Sequence, residues 1–167
     1  MASTTTRLTI EDFERLPDEE ARGHEPRRLA IRDALIELLR PVVRRQRLGR
    51  VFSGLAYDFD GNVLNPDVTF FWIGKVSLLN TEQRVQDFVP DFAIEVVSSD
   101  DTFNSIVLKK ERYRRCGTLE VWLISPEDRS VYIYSDGRRV ILSGNDDLST
   151  PLIPGFSITV EDLFNGA

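Results

Sequence analysis

The sequence predicts an α+β (mixed α/β) fold in one domain, residues 1–167, and three observations carry that expectation. Ile31, Ala34, Leu35, Leu38, Leu39 and Val42 recur at the spacing of one helix face, after which β-branched and aromatic residues take over. Strand-length apolar runs then alternate with turn and capping residues, giving helix, strands, helix, strands. Finally, 41% of the 167 residues are hydrophobic, and a chain of this length buries roughly 70% of the surface its unfolded form exposes. It needs no disulfide staple, and the lone Cys116 makes no internal bridge.

Thr9 with Asp12 three residues on, then Phe13 and Leu16, reads as a short helix stopped by Pro17. The apolar stripe predicts a helix over residues 29–43 with its arginines outward and its last turn disturbed by Pro41. Residues 51–59, the Asp60-Gly61-Asn62 turn and residues 67–73 read as a hairpin. Residues 88–97 form a strand with Asp91, Ala93, Glu95 and Val97 on one face and Phe92, Ile94 and Val96 on the other. Ser98-Ser99-Asp100-Asp101 leads into a helix that Gly117 ends and that folds back to bury Phe103, Ile106, Leu108 or Tyr113. Residues 119–124, 131–134 and 140–142 make a meander of short strands, and Thr159 with Asp162 opens a last helical turn through Leu163 and Phe164.

Several function classes are excluded. One His and one Cys cannot furnish a Cys/His zinc site, and no P-loop, GxGxxG or serine-elbow pattern occurs. No apolar run approaches a membrane span, and the N-terminus lacks the pattern of a secretory signal, so a cytoplasmic location is expected. Cys116 reads as a buried structural thiol and His24 as a loop residue.

The net charge of −6 hides an uneven distribution. Residues 22–50 carry nine arginines against three acids, and residues 104–115 carry five cations against Glu111. Two such segments flanking a cleft would attract phosphate; taken singly, each is an ordinary solvated helix face.

Two carboxylates stand where strands have little use for charge. Asp67 opens the apolar run of residues 68–72, and Glu95 lies inside residues 92–97. A buried carboxylate costs several kcal/mol unless a positive group answers it. If the two strands pair, about 4.8 Å apart, the carboxylates can converge on one cation, and Mg²⁺ suits a site with few protein ligands and several waters. Asp67 can equally be a turn residue after Pro66, and Glu95 a partner for a buried arginine. Lys109 shares a helix face with Tyr113, and above such a pair it could polarise a water for attack on phosphorus. Otherwise it is a surface lysine like Lys110.

In order along the chain, Thr9-Ile10-Glu11-Asp12-Phe13 with Leu16-Pro17, Asn65-Pro66-Asp67-Val68, Pro90-Asp91-Phe92-Ala93-Ile94-Glu95-Val96, Ser98 and Asp101, Lys109 with Tyr113, Gly117, Glu120, Trp122 and Pro126, and Leu152 to Phe156 with Leu163-Phe164 resemble the Uma-two family of restriction-endonuclease-like proteins. That resemblance covers roughly residues 8–164 and implies a PD-(D/E)XK core over them, a central mixed β-sheet flanked by helices. It implies a metal-dependent endonuclease cutting DNA by water attack, with Asp67, Glu95 and Lys109 as catalytic residues. Asp67 and Glu95 would hold Mg²⁺, or Mn²⁺ in its place, with Asp91 and Tyr113 in support. Arg27, Arg28, Arg32, Arg44, Arg45 and Lys110 would meet the phosphate backbone, in a homodimer. Two departures stand out: the family's early hairpin has no room between Pro17 and His24, and Arg28 stands where the family often carries a His. The alternative is a catalytically silent module for nucleic-acid binding or assembly.

Overall fold

The apolar helix stripe is one wall of the core. The computed structural model describes residue 11 and residues 26–98 and 101–167; the opening helix expected up to Pro17, apart from Glu11, and His24 lie outside them. Helix α1 (Pro26–Gln46) buries Ile31, Leu35, Ile36, Leu39 and Val43. Pro26 suits its first turn, where no backbone N–H needs a partner. Contrary to expectation, the helix runs on past Pro41 to Gln46. The buried pair Leu39 and Val43 spans the proline, so packing holds the last turn despite the lost backbone bond.

The chain then lays down β1 (Gly49–Ser53), β2 (Ala56–Asp58), β3 (Val63–Leu64), β4 (Val68–Trp72), a 3-10 helix (Ile73–Leu78), β5 (Val85–Gln86) and β6 (Phe92–Val96). Helix α2 (Phe103–Arg115) leads to β7 (Glu120–Ser125), β8 (Ser130–Ser135) and β9 (Arg138–Ser143). The short β10 (Asp147–Ser149), β11 (Ser157–Thr159) and α3 (Val160–Gly166) follow. Six strands form one sheet in the order β1-β4-β6-β7-β8-β9. Only β6 and β7 run parallel in it, and α2 is the crossover that a parallel pair requires.

The sheet is covered on both faces, so β6 reads as a continuous buried run. On one face Val68, Phe70, Phe92, Ile94, Val96, Trp122 and Ile124 pack on α1 and α3. On the other, Ala93, Val121 and Leu123 meet Tyr113 of α2 with Tyr57 and Phe59 of β2 and its turn. The alternation expected of β6 therefore holds. Of the apolar residues on α2, Tyr113 is fully buried and Ile106 partly, while Phe103 and Leu108 are exposed.

The expected hairpin over residues 51–73 is two structures. Gly54, at φ 70°, breaks the first run. β1 pairs with β4 in the main sheet, whereas β2 turns through Asp60 and Gly61 to pair with β3 and also takes β5, making a separate small sheet. Gly49 is needed where β1 lies against β4, because a Cβ there would fall 1.9 Å from the Phe71 carbonyl oxygen. α2 begins in a capping box, Thr102 accepting from the Ser105 N–H and Ser105 from the Thr102 N–H.

Candidate active site

The β4–β6 register sets Val68 opposite Ile94. One step along, at the end of the ladder, stand Asp67 and Glu95, both turned to the α2 side because Val68 and Ile94 face α1. The two acids that the sequence leaves 28 positions apart are cross-strand neighbours, and both are buried, at 9% and 6% exposure.

Helix α1 supplies the cation between them. Arg28 Nε donates to Asp67 Oδ1 at 3.0 Å and Oδ2 at 3.2 Å, and its Nη2 lies 2.9 Å from Asp67 Oδ1 and 3.9 Å from Glu95 Oε2. The Val96 N–H donates to Asp67 Oδ2 at 2.7 Å. Burial works against the charge of Arg28, but Asp67, then Glu95 and Asp101, outweigh it and hold the guanidinium protonated.

Helix α2 supplies the rest. The Tyr113 hydroxyl, fully buried, donates to Glu95 Oε1. Burial and the neighbouring Glu95 push that hydroxyl well above its ordinary range, so it remains a neutral donor. Lys109, one turn earlier, lines a small pocket with Glu95, Val97, Asp101, Ile106 and Leu123. Burial pushes the Glu95 carboxyl up to about 7, with Asp67 adding to the rise; Lys109, the Tyr113 hydrogen bond and Arg28 oppose it. Asp101 is fixed at the pocket by the Ser98 N–H and hydroxyl, at 2.8 and 3.2 Å.

Asp91, expected to support the pair, belongs to a different junction. It lies four residues from Glu95 along the same strand face, and its carboxylate takes Lys75 Nζ at 2.7 Å and the Trp72 N–H at 2.8 Å, tying the 3-10 helix to the sheet. A strand rises about 3.3 Å per residue, so alternation alone could not bring it to the end where Asp67 and Glu95 meet. Glu120 is likewise structural, accepting from Trp122 Nε1 at 2.7 Å and Thr150 Oγ1 at 3.2 Å.

The basic residues separate into groups. The two basic segments meet only at the acid pair, where Arg28 of α1 and Lys109 of α2 both reach Glu95; the helices themselves pack on opposite faces of the sheet. Arg27 is engaged by the Pro126 carbonyl and Arg32 by Asp33, while Arg44 and Arg45 are exposed at the far end of α1. Lys110, its ammonium 4.4 Å from the centre of the Tyr134 ring, opens a groove of about 750 Å³ between α2 and the β8–β9 turn. Arg115, Arg138 and Arg139 line it too, and Arg114 is tied across it to the Thr118 and Leu119 carbonyls and to Asp136. The β8–β9 side of this groove carried no sequence signal, since two arginines after a turn look like ordinary solvated charge. Among the described residues no cluster of three or more His, Cys, Asp and Glu forms a metal cage, and no helix is long and apolar enough to cross a membrane.

A mixed sheet covered on both faces, with two acids converging where its central strands end, places the protein among the nuclease-like mixed α/β folds. The crystal structure of a putative nuclease belonging to DUF820 from Anabaena variabilis has this fold: it is similar with a TM-score of 0.83 at 20% identity, over 95% of this chain and 98% of that one. The chain matches the family described as "Uma2: Putative restriction endonuclease" over residues 10–161, and it belongs to that family. No curated protein matches it.

Proposed function

We propose that the protein is a divalent-metal-dependent endonuclease that hydrolyses DNA phosphodiester bonds, and that Asp67, Glu95 and Lys109 are its catalytic residues. The observation that carries this reading is the convergence of two buried carboxylates from adjacent strands on one cation. The guanidinium of Arg28 stands in for that cation, and Asp67 Oδ1 and Glu95 Oε2, the oxygens that face it, suit Mg²⁺ or Mn²⁺ as hard ligands. When bound, such an ion would neutralise charge developing on the phosphate and lower the pKa of a water.

The residues of the chain do the remaining work. Tyr113 fixes the orientation of Glu95 by its hydrogen bond. Lys109, beside Glu95 in the pocket, orients and polarises the attacking water. As the water oxygen bonds to phosphorus it releases a proton to solvent, a phosphodiester P–O bond breaks, and the leaving oxygen takes up a proton from solvent. Lys110, Arg115, Arg138 and Arg139 give the backbone an electrostatic groove starting one helix position beyond Lys109; they contribute affinity rather than sequence reading. Cutting both strands of a duplex calls for two such sites, so the proposed working unit is a homodimer.

The test is nicking of supercoiled plasmid with Mg²⁺ or Mn²⁺ by the wild type, Lys109→Ala and Asp67→Asn, each checked for folding by circular dichroism. Cutting by the wild type alone supports the assignment. A folded wild type that never cuts would leave the silent binding module as the reading, and variants that cut as fast would overturn the assignment of Asp67 and Lys109. The full hydrogen bonding of Asp67 by Arg28 and Val96 is the observation that favours that second reading.

A further inference from the structure

The guanidinium between the two acids is not an accessory to a metal site; it fills one. Both oxygens of Asp67 face Arg28, and Oδ2 also accepts from the Val96 N–H, so the side of the carboxylate turned toward Glu95 is occupied by the guanidinium. Glu95 has Oε1 committed to Tyr113 and turns Oε2 toward Arg28. An ion bridging the pair would have to use the oxygens that Arg28 now faces. A divalent ion and a guanidinium cannot both sit there, because they repel one another in a buried site.

We infer that Arg28 is an internal cation that keeps the acidic pair closed to divalent metal until a phosphodiester draws the guanidinium away. This rests on the reading of Asp67 and Glu95 as metal ligands and goes beyond it, by making metal entry depend on substrate. Three features equip Arg28 for the exchange. It stands in the first turn of α1, third residue of Pro26–Gln46, so its side chain can swing without disturbing the buried stripe that begins at Ile31. Its side chain keeps 16% exposure, a route to solvent. Its planar fork matches a phosphate as well as a carboxylate, so a backbone phosphate at the site offers it an equivalent partner. Without substrate the same fork offsets the charge of Asp67 and faces Glu95 Oε2, which weakens the attraction of the site for a second cation.

The experiment is Mn²⁺ binding to the metal-free protein, followed by calorimetry and by the paramagnetic signal of free Mn²⁺, with no nuclease activity required. Arg28→Met should bind Mn²⁺ at least tenfold more tightly than the wild type, with the gain removed in Arg28→Met/Asp67→Asn. Arg28→Lys, which keeps a charge but loses the fork and guards against an unfolded Met variant, should fall between them. A short phosphorothioate oligonucleotide should raise the Mn²⁺ affinity of the wild type but not of Arg28→Met, as reciprocal coupling requires. Equal Asp67-dependent affinity in wild type and Arg28→Met would overturn the gate while leaving the metal site standing. Folded Arg28→Met and Arg28→Lys that bind no Mn²⁺ even with oligonucleotide would overturn both the gate and the metal-dependent reading.

Discussion

Replacing Glu95 by Gln should make the metal-free protein more stable, and only at high pH. The carboxyl is buried against Val97, Leu123 and Tyr113, and that burial lifts its pKa from 4.5 to about 7. The folded state therefore binds this proton more tightly than the unfolded one, so the contribution is intact below pH 4.5 and is lost as pH rises through about 7. At about 1.4 kcal/mol per pKa unit, the loss amounts to roughly 3 kcal/mol by pH 9. Glutamine cannot ionise, yet keeps an oxygen for the Tyr113 hydroxyl. Glu95→Gln should thus melt with the wild type near pH 4.5 and above it by roughly 6–12 °C at pH 9, taking 2–4 °C per kcal/mol for a chain of this size. Thermal melts in EDTA at five pH values from 4.5 to 9 would measure the difference. A difference that stays constant with pH, or that favours the wild type in alkali, would refute the claim that Glu95 is held at a desolvation cost.

Other perturbations test the frame around the site. Gly49→Ala should destabilise the protein by about 2–3 kcal/mol in urea, because its Cβ would meet the Phe71 carbonyl oxygen and force β1 from β4; an unchanged midpoint would mean the strands part freely. Lys75→Met should cost about 2–3 kcal/mol by stranding the Asp91 carboxylate, less than a fully buried pair since Lys75 is 29% exposed, and a second change, Asp91→Asn, should recover part of it. Thr102→Ala removes the cap of α2 and should cost about 1 kcal/mol, or 2–4 °C in melting temperature; no change would show that the box carries no weight in solution.

Much of the frame was legible because the responsible physics is local. The alternation of residues 91–97 sorted the two faces of β6, and the stripe on α1 marked its buried side, since each pattern reflects one covered surface. The convergence of Asp67 and Glu95 was legible as far as two misplaced carboxylates imply a shared cation. What failed needed long-range information. A lone glycine inside a strand pattern marks a bulge as readily as a break, so only the partners of each half of residues 51–59 reveal that Gly54 divides them between two sheets. Val85 and Gln86 are too short a run to announce a strand that exists only because β2 is beside it. Asp91 shares a face with Glu95, but its partner Lys75 lies in a 3-10 helix without apolar periodicity. The sequence singles out Arg28 only for phosphate contact, because nothing local distinguishes it from the other arginines of its helix as the partner of Asp67 and Glu95.

The crossover through α2 has one more consequence. Arg28, Asp67, Glu95, Lys109 and Tyr113 all precede residue 114, yet β6 is held on its far side by β7, which starts at Glu120. A fragment ending before that point would own every proposed catalytic group, and β4 to set Asp67 beside Glu95, yet lack the strand that covers the other edge of β6. During synthesis, then, a ribosome-bound chain carries β6 with one edge unpaired, open to wrong partners, until β7 has emerged.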